Sequence, residues 1–266
     1  MSITASLARN EGENREYALV TVVATTGSTA RSAGTKMIVY PDGSIEGTVG
    51  GGIVEHEAKI DARAAMESGA PLLKEYEITA GGPKGDTLAG TVTCFIEPFV
   101  PSARLYLLGA GHVAQEIIPV AKLAGFHVTV IDPREGLSKT EKAAMADRFI
   151  LAEYDSIDTM TIPAGSYFML GTYDHGIDGQ LLARVLRRGA AYVGMLGGKP
   201  KIRAIFKSLR EQGYTEEELS AAHTPAGLDI GAEDPAQIAI SIVAEMLAVK
   251  NGCKGGFCRE KLAGQV

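Results

Sequence analysis

Five short apolar runs in the second half of the chain, RLYLLGAG, HVTVID, RFILA, YFMLGT and AYVGMLGG, alternate with segments of helical character, most clearly IIPVAKLAG, DGQLLARVLRRG and PKIRAIFKSLREQG. A strand that is apolar at consecutive positions needs cover on both faces, and strands separated by helices pair in parallel with those helices laid over the sheet. The pattern predicts a doubly wound parallel sheet. Ser138-Lys-Thr-Glu141 reads as the capping box of the second crossover helix, and Asp234-Pro235 as the start of a long last helix, AQIAISIVAEMLAVKNG. That helix suits either a core or an interface between copies; core is favoured, because a helix this apolar beside a sheet is usually covered, and a homodimer is left open.

The first hundred residues have a different grain. YALVTVVATT, from Tyr17, is a β-branched run, and KMIVY and SIEGTV flank the turn signal Pro41-Asp42-Gly43, which together predict a strand and a hairpin. Val54, Ala58, Ala62 and Ala65 stand at helical spacing over 53–68, with Gly69 as a stop, and LLKEYEIT and TVTCFIEPFV read as two further strands. Pro98, Pro101 and Ser102 mark the change of character. An α+β domain over 1–101 and an α/β domain over 102–266 are therefore expected.

Bulk properties narrow the function. With 26 basic against 32 acidic residues, a formal net charge of −6 and no long run of either sign, neither a nucleic-acid footprint nor a membrane-surface patch is expected. No apolar stretch approaches the about 18 residues of a spanning helix, and the first residues lack the apolar core of a signal peptide, so the expected address is cytoplasmic. Three cysteines, an odd number, speak against a secreted disulfide framework. Cys94 falls within a strand and reads as a small buried hydrophobe; Cys253 and Cys258, in NGCKGGFC, are two thiols on an expected exposed tail, too few for a zinc site. No metal site is expected.

Three stretches are candidates for chemistry. Gly109-Ala-Gly111-His-Val-Ala114 is a G-x-G-x-x-A sequence at a strand-to-helix junction, and the next strand ends in Asp132. In that context the glycines admit a diphosphate to the helix N-terminus and the acid takes ribose hydroxyls. Arg134 leaves room for a ribose phosphate, as in NAD(P). His112 and His175 fall at the carboxyl ends of parallel strands, where open α/β sheets bind their ligands. Earlier in the chain, GSTARSAGTKM offers Ser28, Arg31 and Lys36, a set able to hold an oxyanion, or else an ordinary hairpin connection. Gly50, Gly51 and Gly52 precede a helix and form either an anion nest or room for close packing. Of Glu55, His56 and Glu57, neighbours about 100° apart on a helix, at most one faces the glycines, and Glu55 is the choice. No catalytic constellation stands out.

Several long stretches in order resemble the XdhC/CoxI-type accessory factors of xanthine dehydrogenase and related molybdenum hydroxylases: GSTARSAGTKMIVYPDGSIEGTVGGGIVE, FIEP, LYLLGAGHVAQ, AAYVGMLGGKPKI and GLDIGAEDPAQIAISIVAEMLAVKNG. The resemblance implies an N-terminal accessory domain followed by a Rossmann-like domain. It also implies a chaperone that binds molybdenum cofactor, as molybdopterin or its dinucleotide form, and protects it during sulfuration. The implied partners are a molybdenum hydroxylase apo-enzyme, to which the cofactor is delivered, and a cysteine desulfurase that supplies sulfur. On this reading Ser28, Arg31, Lys36 and Gly50 to Gly52 hold the phosphate or diphosphate. The family's usual Cys-Gly-Gly before the F-I-E-P strand is here Leu88-Ala89-Gly90, so a thiol contact at that place is lost. The rival reading is a nicotinamide-dependent oxidoreductase using Gly109, Gly111, Ala114 and Asp132, with His112 or His175 as acid or base.

Overall fold

The computed structural model describes residues 2–78 and 89–261. The chain divides into two compact units, Met1–Pro101 and Ser102–Val266.

In the first unit, helix α1 (Ile3–Gly12) precedes strands β1 (Tyr17–Gly27), β2 (Lys36–Val39) and β3 (Ile45–Gly47), helix α2 (Gly52–Ser68), and strands β4 (Leu72–Ile78) and β5 (Gly90–Phe99). The five strands form one sheet in the order β3-β2-β1-β5-β4, with every pairing antiparallel. The continuous apolar character of β1 follows from cover on both faces. Ala18, Val20 and Val22 pack with Val54, Ala58 and Ala62 of α2, whereas Tyr17 and Leu19 turn the other way, toward Ile3 and Leu7 of α1. The expected helix over 53–68 and the hairpin at Pro41–Gly43 are both present.

Helix α1 is not legible in the sequence, because its docking face is largely polar. Asn10 donates through Nδ2 to the Tyr40 hydroxyl at 3.0 Å, Tyr40 donates to Glu46 at 2.8 Å, and Ser6 donates to the same carboxylate. Ser6 and Asn10 are buried by these bonds, which hydrophobic periodicity does not register.

The second unit carries β6 (Arg104–Leu108), α3 (His112–Leu123), β7 (His127–Ile131), the short α4 (Glu135–Ser138), β8 (Arg148–Ile150), β9 (Tyr167–Leu170), α5 (His175–Leu186), β10 (Tyr192–Met195), α6 (Lys199–Glu211), α7 (Glu216–Ser220), β11 (Ala222–His223) and α8 (Pro235–Lys250). The sheet order is β11-β10-β9-β6-β7-β8, all parallel. All five apolar runs are strands, and alternate residues of each meet different cores. Leu105 and Leu107 pack with α3 and α8, while Tyr106 and Leu108 pack with α5 and α6. Helix α8 buries Ala239, Ile242, Val243 and Met246 in the first of these.

One expectation fails here. Ser138 ends α4 and donates to the Glu135 carbonyl at 2.7 Å, so it caps no crossover helix; instead Thr140 accepts from Ala143 N–H at 3.1 Å ahead of a single 3-10 turn. The β7–β8 connection holds only the short α4 and this turn, not the full helix that the S-x-x-E pattern suggested.

The end of β6 meets the end of β9 at a close backbone approach. Gly109 has φ +113°, and a Cβ there would sit 2.4 Å from the Gly171 carbonyl oxygen. Gly111 is different: its φ is −66°, and a Cβ would meet nothing within 4 Å. Gly109→Ala should therefore destabilise the protein by about 2–4 kcal/mol, whereas Gly111→Ala should cost about 1 kcal/mol or less. Urea unfolding of the two variants checks this; equal losses would contradict it.

Candidate functional site

In the first unit the glycine run shapes the head of α2. Gly50, Gly51 and Gly52 have φ of +132°, +75° and +62°. Gly51, the N-cap, has ψ −170°, a combination that is essentially glycine's alone, and no side chain caps the helix. The first amides of α2 therefore lack the usual oxygen acceptor. A Cβ on Gly51 or Gly52 would enter open space, whereas one on Gly50 would come within 3.3 Å of Ala30 Cβ and 3.5 Å of Arg31 Cγ. The glycine run and the β1–β2 loop are thus in contact. Glu55 is fixed from behind: Thr48 donates its hydroxyl to Glu55 Oε2 at 2.5 Å and accepts from Gly50 N–H at 3.1 Å.

The remaining expected residues of this unit divide. Arg31 is exposed and has no ion pair among the described residues. Ser28 is exposed, and its N–H donates to the Ala89 carbonyl at 2.8 Å, so the loop is anchored beside residues 89–90. Leu88 itself lies outside the described residues. Lys36 is set apart from the others: it pairs in register with Thr21, donates to its hydroxyl at 3.1 Å, and alternates with Ile38 onto the α1 face of the sheet, opposite α2. His56 and Glu57 are exposed on α2.

In the second unit Gly111 is the N-cap of α3, again without a side-chain cap, and Ala114 is buried where α3 lies on the sheet. His112 is exposed at the first position of α3 and lines, with Glu116, Thr140, Lys142 and Pro235, a cavity of about 470 Å³. His175 is the first residue of α5, whose amides at Gly176 and Ile177 already donate to Asp174 at 2.6 and 3.4 Å.

Asp132 is fully buried and its carboxylate is surrounded by donors. Oδ1 accepts from the Arg134 N–H at 2.9 Å and Nε at 2.8 Å; Oδ2 accepts from the Ala110 N–H at 2.7 Å, Arg134 Nη2 at 2.7 Å and the Tyr154 hydroxyl at 3.2 Å. Burial pushes its pKa up, but the Arg134 side chain and N–H and the Ala110 N–H together outweigh that and hold it below the ordinary value. A second buried carboxylate, Asp178, pairs with Lys201 and accepts from Thr172 N–H at 2.9 Å, while Lys201 also donates to the Leu196 carbonyl at 2.8 Å. These two acids pin the loops after β6, β7, β9 and β10 at the carboxyl edge. The fingerprint spacing marks Asp132, but the burial of Asp178 and Lys201 has no local signal.

Among the described residues no cluster of three or more His, Cys, Asp or Glu could hold a metal ion, and no helix is long and apolar enough to cross a membrane. Cys94 is buried in β5, and burial pushes its thiol up to about 11; Cys253 and Cys258 are exposed free thiols.

Asp132→Asn should destabilise the protein by about 2–4 kcal/mol at pH 7, since it breaks a buried charge-assisted network. A depressed folded pKa contributes stability above the unfolded value of about 4 and loses it as pH falls through the folded value. The gap between wild type and variant in urea unfolding should narrow below pH about 4; a gap constant down to pH about 3 would contradict the assignment.

Comparison with known proteins accords with both units. Residues 105–246 match the family model of the XdhC Rossmann domain, and residues 11–77 that of the XdhC and CoxI family. The chain is 32% identical over 261 residues to the uncharacterized protein YqeB of Escherichia coli (strain K12), covering 97% of this chain and 48% of that protein. It is 28% identical over 165 residues to a probable xanthine dehydrogenase subunit of Bacillus subtilis (strain 168), covering 60% of this chain and 47% of that one. The molybdenum cofactor insertion chaperone PaoD of Escherichia coli (strain K12) is 26% identical over 266 residues, with 87% of this chain and 83% of that one covered. The chain spans about half the length of the first two relatives. A crystal structure described as a xanthine dehydrogenase from Bacillus halodurans shares the fold, with a TM-score of 0.52 at 20% identity over 96% of this chain and 97% of that one.

Proposed function

The chain belongs to the XdhC and CoxI family, and from that premise we propose that it is an accessory protein of a molybdenum hydroxylase, one that binds molybdenum cofactor as cargo, protects it during sulfuration and delivers it to the apo-enzyme. The relationship to a molybdenum cofactor insertion chaperone supports this reading. The observation that carries it is the head of α2. The space beside Gly51 and Gly52 is open, no side chain caps the helix, and Arg31 stands beside Gly50.

Those features suit an anion. The helix dipole and free N–H groups favour a phosphate or diphosphate, and the exposed guanidinium adds two parallel donors. Thr48 and Glu55 keep the Gly50 end in place without occupying the open side. In this reading Ser28 and Arg31 contribute from the β1–β2 loop; Lys36, on the other face of the sheet, acts at most through the strand. In the Rossmann-type unit Gly111 and the uncapped head of α3 offer a second anion site, suited to the diphosphate of a dinucleotide cofactor. The cargo supplies the molybdenum chemistry; the chain's part is to hold and shield it.

Sulfuration with a cysteine desulfurase is the finer part of the proposal. Leu88 offers no thiol there, and Cys94 is buried with a raised pKa and is no thiolate near neutral pH. Neither position therefore supplies a thiolate to carry sulfur; the exposed thiols are those of Cys253 and Cys258. The rival, a nicotinamide-dependent oxidoreductase, rests on Gly109, Gly111 and Ala114; the acid it assigns to the ribose, Asp132, is already surrounded by protein donors.

The test is anaerobic purification from a cofactor-producing bacterium, with bound molybdenum and oxidised fluorescent pterin quantified beside NAD(P). Near-stoichiometric pterin is expected. Arg31→Ala should lower pterin retention by about tenfold or more, the worth of a charge-assisted contact, with an unchanged melting temperature. Gly51→Val is the poorer probe, because a β-branched residue at φ +75° is strained in its own right. Pterin-free protein that retains NAD(P) would overturn the proposal.

A further inference from the structure

A carboxylate offers about four lone-pair sites, and Asp132 receives five donors: Ala110 N–H, Arg134 N–H, Nε and Nη2, and the Tyr154 hydroxyl. It is 0% exposed. A ribose diol could bond this acid only by displacing Arg134, and would still find no open path to it. The residue that the G-x-G-x-x-A context assigns to the ribose is instead a clamp on the glycine loop.

What the edge does present is flat and cationic. Tyr173, in the loop after β9, is 58% exposed, and the Arg134 guanidinium lies over its ring at 5.0 Å. Tyr154, which donates to Asp132, stands with its ring 6.4 Å from that of Tyr173. Tyr173 is held by fixed neighbours: Thr172 N–H donates to the buried Asp178 at 2.9 Å, and the Thr172 hydroxyl donates to the Asp174 carbonyl at 2.9 Å. An exposed aromatic ring in a pinned loop, with a guanidinium stacked on it, is a ready platform for a planar heterocycle.

The position of this platform selects the ligand class. In the order β11-β10-β9-β6-β7-β8 the chain winds outward in both directions from the β6–β9 pair, so the crevice at the carboxyl ends of these strands is the topological switch point, where nucleotides bind in such sheets. Tyr173 follows β9 and Arg134 follows β7, on either side of the Gly109–Gly111 loop that follows β6. We propose that this edge binds a nucleoside diphosphate moiety by stacking its base on Tyr173 and Arg134, with Asp132 as a positioning residue for the glycine loop and the ribose hydroxyls left unread. Stacking tolerates different bases, because every base has a π face. The platform lies in the Rossmann-type unit alone, and its use does not depend on the identity of the cargo.

The test measures binding of ADP, CDP and their 2′,3′-dideoxy counterparts to the full chain by isothermal titration calorimetry. Each dideoxy nucleotide should bind within about twofold of its parent. Tyr173→Ala should weaken ADP and CDP by about tenfold or more, the range of one base–aromatic stack, without changing the melting temperature, and Tyr173→Phe should restore binding. A tenfold or greater loss with the dideoxy nucleotides, an unchanged affinity in Tyr173→Ala, or no binding of ADP and CDP to the wild type would each overturn the inference. Pterin is assayed on the same preparation. Pterin retained without nucleotide binding sinks this inference alone, and nucleotide binding without pterin sinks only the accessory-protein reading.

Discussion

The first amides of an α-helix must find acceptors, and the helices of this chain differ in whether a side chain provides them. Helices α1, α5, α7 and α8 begin at Ser2, Asp174, Thr215 and Asp234, whose side chains accept from the first turn. Helices α2, α3 and α6 begin at Gly51, Gly111 and Gly198, with no side-chain cap. Glycine at an N-cap supplies no oxygen of its own, so these ends keep their dipole and their donors for something else. Both anion sites proposed for the chain are members of the glycine set.

Such ends are useful only if they are held still. In the first unit Thr48 bridges Gly50 and Glu55. In the second the task falls to buried carboxylates: Asp132 grips Ala110, and Asp178 with Lys201 grips Thr172 and Leu196. A half-buried carboxylate, Glu245 on α8, accepts from Tyr192 at 2.7 Å, Gly227 N–H at 2.8 Å and His223 Nδ1 at 3.0 Å, and so ties the segment after β11 to its helix. Burial pushes the Glu245 pKa up, but its donors, His223 first among them, outweigh that and hold it low. Burying a charge is costly unless it is paired and hydrogen-bonded, which is why each acid appears with several donors rather than one.

Much of this is open to sequence reasoning, and the exceptions share a cause. Continuous apolar runs reveal strands covered on both faces, so β6, β7, β8, β9 and β10 and the doubly wound order follow from periodicity and the intervening helices. Glycine runs before a helix flag the heads of α2 and α3. Helix α1 escapes periodicity because Ser6 and Asn10 dock it by hydrogen bonds to Glu46 and Tyr40, far away in sequence. Proximity in the chain groups Lys36 with Arg31, although strand alternation turns it to the opposite face. Spacing finds Asp132, yet its burial under Arg134 is a tertiary fact that spacing does not contain. Local pattern locates a polar residue; only the packed structure determines which donors have already reached it.

If the uncapped head of α2, with the β1–β2 loop against it, holds the anionic group of the cargo, then bound cargo must cover the amides of both segments. Amide hydrogen exchange on the intact chain, with and without pterin cofactor under anaerobic conditions, reads this cover peptide by peptide. Exchange should slow together in peptides covering 47–58 and 28–36 when cofactor is added. Bound cofactor that leaves both peptides unprotected, with slowed exchange confined to other segments, would contradict the assignment of the cargo site.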